Sequence, residues 1–112
     1  MSVTAVEMLK AGKEIISDPS KWIQGAGSDT GDLKTATCFC TFTAFIRARD
    51  TIEEKHGMLY DASVDADSAL DAAATQLYGN PITSVAYNDL PTTRHSDIMR
   101  LYDLAIEKAS VI

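Results

Sequence analysis

Ala36-Thr37-Cys38-Phe39-Cys40-Thr41-Phe42-Thr43-Ala44, running without a break into Phe45-Ile46-Arg47-Ala48-Arg49-Asp50-Thr51-Ile52-Glu53-Glu54-Lys55, is the stretch on which the fold turns. Its first half is rich in β-branched and aromatic residues and partly alternates, as a half-buried strand does. Its second half is helical, with Phe39, Phe42 and Ile46, and also Phe45 and Ile52, at helical spacings. No breaker separates the halves, so the stretch reads as one helix over about 34–56, capped by Gly57 after His56. With that choice the domain becomes mainly α.

Working outward, Thr4-x-x-Glu7 is a capping box, and Ala5, Met8, Leu9, Ile15 and Ile16 share one face of a first helix over about 4–16, which Pro19 ends. A further helix over about 65–78 carries Ala66, Ala69, Leu70, Ala73 and Leu77 on one stripe and stops at Gly79-Asn80-Pro81. The last, over about 94–109 and capped by Thr93, has the stripe Ile98, Leu101, Tyr102, Ala105 and Ala109. Two short segments, about 21–24 around Trp22-Ile23-Gln24 and about 82–87 in Ile82-Thr83-Ser84-Val85-Ala86-Tyr87, are predicted to pair as strands. The expected architecture is one domain over 1–112: four helices, with the first, second and fourth packed around Phe39, Phe42, Ile46, Leu101 and Ala105 and the third as a lid.

Composition narrows the function classes. The chain has 112 residues, 46% of them apolar, and 16 acidic residues against 10 basic ones give a net charge of -6. Such a field repels nucleic acid and anionic membrane surfaces, so no direct nucleic-acid or membrane partner is expected. No apolar stretch approaches the ~20 residues of a membrane helix, and Glu7, Lys10, Lys13 and Glu14 interrupt the region where a signal peptide would be apolar, which predicts a cytoplasmic location. Cys38 and Cys40 are too close to bridge readily and read as reduced thiols.

Several residues could carry chemistry. In Tyr87-Asn88-Asp89 an amide and a carboxylate stand side by side in a segment too apolar for ordinary loop, so they need hydrogen-bond partners and mark a structural corner or a site. Trp22, the sole tryptophan, is a core anchor or a stacking surface, and His95 stands in the first turn of the last helix. Cys40 with His95 and Asp89 supplies the residue types of a thiol hydrolase, although a cysteine within an apolar helix is normally inert. Cys38, Cys40, His56 and His95 lack the paired spacing of zinc ligands. Asp61, Ser63, Asp65 and Asp67 suggest a calcium loop, but Ala66 and Ala72 occupy the places of its glycine and bidentate glutamate. Gly25-Ala26-Gly27-Ser28-Asp29-Thr30-Gly31 matches neither phosphate-binding pattern, and a mobile flap over a pocket is its alternative functional reading. Neither a metal nor another cofactor is implied.

Taken in order, Trp22-x-Gln24-Gly25, Phe39-Cys40-Thr41-x-Thr43-Ala44, Tyr87-Asn88-Asp89 and Thr93-x-x-Ser96-x-Ile98 resemble an uncharacterised family, a domain of unknown function, of small bacterial and phage proteins. Its members typically read W-x-Q-G, W-C-A-x-G-A, W/F-N-D and a capped terminal helix. The resemblance covers about 5–109, with Phe39 in place of tryptophan and Thr43 in place of the small glycine. It implies a mostly helical single domain and a phage or mobile-element origin, and brings no activity.

These readings converge on a non-enzymatic binding module with Trp22, Gln24, Asn88, Asp89 and His95 as its ligand-binding cluster. The expected role is a phage-type accessory protein that captures a small molecule or a host protein to blunt a defence system. The alternatives are the Cys40 hydrolase and an acidic nucleic-acid mimic built on Asp61, Asp65 and Asp71. A domain this small also leaves faces over for a homodimer.

Overall fold

Thr4 starts the chain's first helix as its spacing requires: the hydroxyl accepts the Glu7 N–H at 3.2 Å, and α1 runs over Ala5–Ile15. The computed structural model describes residues 3–110, and within them follow a single 3-10 turn at Pro19–Lys21 and the helices α2 (Thr41–His56), α3 (Tyr60–Tyr78), α4 (Ser84–Asn88) and α5 (His95–Ala109). No helix among the described residues is long and apolar enough to cross a membrane.

The stretch 36–55 is divided rather than continuous. Helix α2 starts at Thr41, not near 34, because residues 37–40 are held extended from both sides. On one side the Phe39 N–H donates to Lys21 O at 2.8 Å and the Ile23 N–H to Phe39 O at 3.1 Å. On the other, Asp29 N–H reaches Cys38 O at 3.2 Å and Cys40 N–H reaches Gly27 O at 2.9 Å. The Asp29 carboxylate also takes the N–H groups of Thr37 and Cys38 at 2.9 and 3.1 Å. Those bonds satisfy the backbone without a helix, so the local β propensity of 36–40 prevails up to Cys40. Thr43 then marks the true helix start, its Oγ1 accepting the Cys40 N–H at 3.1 Å. The 25–31 loop expected as a flap is therefore tied down at Gly27 and Asp29.

The predicted pairing of 21–24 with 82–87 does not form, and 82–87 is no strand. Trp22 bridges to Phe39 instead, an isolated contact rather than a sheet. After Pro81 the Thr83 hydroxyl accepts the Ala86 N–H at 3.2 Å, and the Asp71 carboxylate accepts the Ser84 N–H at 2.8 Å. Two bonds to orphan helix donors turn five residues into α4, and no neighbouring strand competes for them. Two boundaries also move. Helix α3 begins at Tyr60 rather than near 65, and α5 begins after Arg94, whose N–H bonds the Asp97 carboxylate at 2.8 Å. Thr93, expected as that cap, donates its hydroxyl to Tyr87 O at 2.8 Å instead.

The core joins Met8, Leu9 and Ile16 with Phe45 of α2, Leu70 of α3, and Ile98, Leu101 and Tyr102 of α5, all buried. Each large apolar side chain so removed from water contributes about 1.5–3 kcal/mol before entropy is counted. Phe45 fills the centre of α2 rather than Phe42 and Ile46, which are only half-buried. Nor is α3 a lid: Ala66, Ala69, Ala73 and Ala74 are buried, and their small side chains let α3 lie along α5 and reach α1. Helices α1 and α2 approach closely at Gly12, where an added Cβ would sit 2.9 Å from Tyr102 Oη and 3.2 Å from Phe45 Cα.

Candidate functional site

Asn88 is the last residue of α4 and wholly buried, and it is the hub of the polar cluster. Its Oδ1 accepts Trp22 Nε1–H at 2.6 Å, the Thr41 N–H at 3.0 Å and the Thr41 hydroxyl at 2.7 Å. Its Nδ2 donates to Ile23 O at 3.1 Å and to Asp89 Oδ1 at 2.9 Å. The same Asp89 oxygen accepts the Gly25 N–H at 2.9 Å, which requires Gly25 at φ +79°, a backbone conformation costly to any other residue. Gln24 Nε2 donates to the carbonyls of Asn88 and Leu90 at 2.8 and 3.0 Å. The W-x-Q-G and N-D motifs are thus two halves of one tie.

Trp22, Gln24, Asn88 and Asp89 meet as a bonded set, and His95 stands beside them. The His95 ring lies edge-on to Trp22 with centroids 6.0 Å apart, and its Nε2 is 2.7 Å from Ile16 O. The Trp22 N–H, Gln24 Nε2, both polar atoms of the Asn88 side chain, Asp89 Oδ1 and His95 Nε2 are spent on one another and on backbone, and with the indole N–H 2.6 Å from Asn88 no space opens between those two side chains. Thr41, absent from the expected set, belongs to it: it is fully buried, and its carbonyl accepts the Tyr102 hydroxyl at 2.6 Å. Burial pushes the Tyr102 phenol far above its ordinary pKa, so it stays a neutral donor. The signal that could have found Thr41 is a hydroxyl pair, Thr41 and Thr43, within an apolar run, since such residues favour helix starts over helix interiors.

Cys40 is buried at the N-cap of α2, not inside a helix, and Cys38 is half-buried. Among the described residues no hydrogen bond links Cys40 to His95 or Asp89, and no group of three or more His, Cys, Asp or Glu side chains could hold a metal ion.

Open space lies instead between α1 and α2. A cleft of about 420 Å³ has Ala11, Ile15, Phe39 and Ile52 as its apolar floor and Glu14, Lys34 and Arg47 at its rim. A second hollow of about 470 Å³ shares Ile15 and Phe39 with it and is bounded by Asp18 and Lys21, so the two form one trough. Lys34 lies 4.0 Å from Glu54, while among the described residues Arg47 and Lys21 enter no ion pair. The Arg47 guanidinium bonds the Thr51 hydroxyl one helical turn on. The tie and the trough meet at Phe39, whose backbone is bonded on either side of Trp22 and whose ring is part of the floor.

Neither the curated proteins nor the solved structures contain a match to the chain. The model of the Family of unknown function (DUF6197) matches residues 1–108, and the chain belongs to that family.

Proposed function

We infer that the protein is a non-catalytic binding module that takes a small molecule with an apolar body and an anionic head into the trough between α1 and α2. The observation that carries this reading is an apolar floor bordered by three cations, Lys21, Lys34 and Arg47, against two carboxylates, Glu14 and Asp18, in a chain of net charge -6. Elsewhere acidic groups outnumber basic ones, so this face receives an anion better than the rest of the surface, and a guanidinium suits carboxylate or phosphate oxygens. The Trp22–Asn88 tie serves the site indirectly by holding Phe39 extended. Cys40, His95 and Asp89 are each engaged by different groups, which favours binding over hydrolysis.

The wider proposal is a phage-type accessory protein that blunts a host defence by sequestering such an anion, a role suited to a small acidic domain. Pairing of two copies through the exposed Met58, Tyr60 and Val64 belongs to the same proposal, and sedimentation equilibrium tests it.

Titration with octanoate and octyl phosphate, followed by calorimetry and thermal melts, tests the binding itself. Saturable binding of at least one, a midpoint that rises with ligand concentration, and no response to octanol are expected. Arg47→Gln should weaken binding about tenfold, the loss of one charged hydrogen bond. Equal binding of octanol, or an unchanged Arg47→Gln variant, would refute the reading.

A further inference from the structure

A separate cleft of about 250 Å³ lies between α2, α3 and α4, lined by Phe42, Asp67, Asp71, Ser84 and Val85. Phe42 is about 140° around α2 from Arg47, so this cleft faces away from the trough. Asp67 and Asp71 stand one turn apart on the same face of α3. Asp71 is partly committed, since its Oδ1 accepts the Ser84 N–H at 2.8 Å. Asp67 makes no hydrogen bond or ion pair among the described residues, and burial together with the Asp71 charge raises its pKa. Arg49 acts on it in the opposite sense, but that guanidinium is engaged by Asp50 at 3.1 Å and Glu53 at 3.7 Å.

Ser84 supplies an independent observation. The residue is 1% exposed, and its Oγ is the single buried side-chain polar atom among the described residues without a hydrogen-bond partner. Proteins rarely leave a buried hydroxyl unpartnered, and an orphan on the lining of a cleft that also holds two carboxylates marks a place where a hydrogen-bond partner is missing.

We propose that this cleft binds a primary ammonium group carried on a short alkyl chain, with Asp67 and Asp71 accepting two of its N–H groups, the enclosed Ser84 Oγ turning to accept the third, and Phe42 and Val85 covering the chain. An ammonium offers three donors and no acceptor, which matches three acceptors and places the cation beside an aromatic ring. Calcium needs six to eight oxygens and magnesium a near-octahedral set, which two carboxylates on one helix and a hydroxyl do not provide. The site is independent of the trough and stands or falls without it.

The test is a titration of the isotope-labelled full chain with n-butylammonium chloride at constant ionic strength, followed by amide chemical shifts, with 1-butanol and magnesium chloride as comparators. Saturable shifts at Phe42, Ser84 and Val85 are expected with the ammonium alone. Asp67→Asn, which breaks no internal bond, should weaken binding about tenfold while the spectrum stays folded, and Ser84→Ala should weaken it in the same direction. A parallel titration with Nα-acetyl-lysine methylamide separates the sources: tighter binding than n-butylammonium assigns a lysine side chain, weaker binding a free amine. Absence of saturable shifts at these amides, equal affinity for 1-butanol or magnesium, or undiminished affinity in both variants would overturn the proposal.

Discussion

Replacing Asn88 by alanine removes five hydrogen bonds at once, and the structure fixes which losses matter. Trp22 and Ile23 are half-buried, so water can reach the freed indole N–H and carbonyl. Thr41 is fully buried, and its N–H and hydroxyl, now 3.0 and 2.7 Å from Asn88 Oδ1, would be stranded. Two buried unsatisfied groups at about 1–3 kcal/mol each give a loss of about 2–6 kcal/mol. Against a typical domain stability of about 5–15 kcal/mol, that is a large share. At about 4 °C per kcal/mol for a chain of this size, the midpoint should fall by about 8–24 °C. Urea unfolding followed by circular dichroism and by the fluorescence of Trp22, the sole tryptophan, measures the change. Asn88→Asp makes a sharper comparison, because it keeps the three accepted bonds but sets a second carboxylate beside Asp89. Its folded pKa should be raised above the unfolded value of about 3.9, so the folded state holds more protons and the variant loses stability as pH rises from about 4. A loss under about 1 kcal/mol for Asn88→Ala, or an Asn88→Asp variant indifferent to pH, would show that the tie is not what holds these segments together.

Gly12→Ala should destabilise although alanine is the better helix former by about 1 kcal/mol, because the new Cβ meets Tyr102 Oη at 2.9 Å and the Phe45 backbone at 3.2 Å. Overpacking of this kind costs about 1–3 kcal/mol, and a higher calorimetric midpoint in the variant would contradict the close α1–α2 approach. The Thr37 hydroxyl, then the N–H groups of Cys38 and Thr37, hold the Asp29 carboxyl below its ordinary range. A depressed carboxylate stabilises above its unfolded pKa of about 3.9, and that contribution fades as pH falls through the folded value. Hydrogen exchange, corrected for its intrinsic pH dependence, should therefore show the Thr37 and Cys38 amides losing protection in acid before those of α5, and Asp29→Asn should abolish the difference. Protection that persists unchanged down to pH 2 would refute this account.

Helices α1 and α5 were legible because a periodic stripe and the end signals agree, as with Met8 and Leu9 after Thr4, or Ile98, Leu101 and Tyr102. The stretch 36–55 misleads because its local signals conflict and the arbiters lie outside it: Asp29 and Lys21 claim the backbone of 37–39, and nothing about either residue in the sequence marks it as that partner. Five residues are too few for periodicity, so α4 read as a strand until Thr83 and Asp71 are seen capping it. The Asn88–Asp89 pair could be flagged by its need for partners, whereas Trp22 and Gln24 as those partners lie more than sixty residues away. The trough was invisible, since Lys21, Lys34 and Arg47 are ordinary surface charges until the fold gathers them along one groove.

The tie also sets the order in which a newborn chain can mature. Residues 22–25 leave the ribosome early, yet every side chain that locks them arrives with residues 88 and 89, and the helix that shields the assembly comes later still. Until then the indole N–H and the Gly25 amide remain in water, so the tie stays open throughout synthesis of the amino-terminal half. A stalled or prematurely terminated product ending before Asn88 should be a substrate for proteases rather than a smaller working protein.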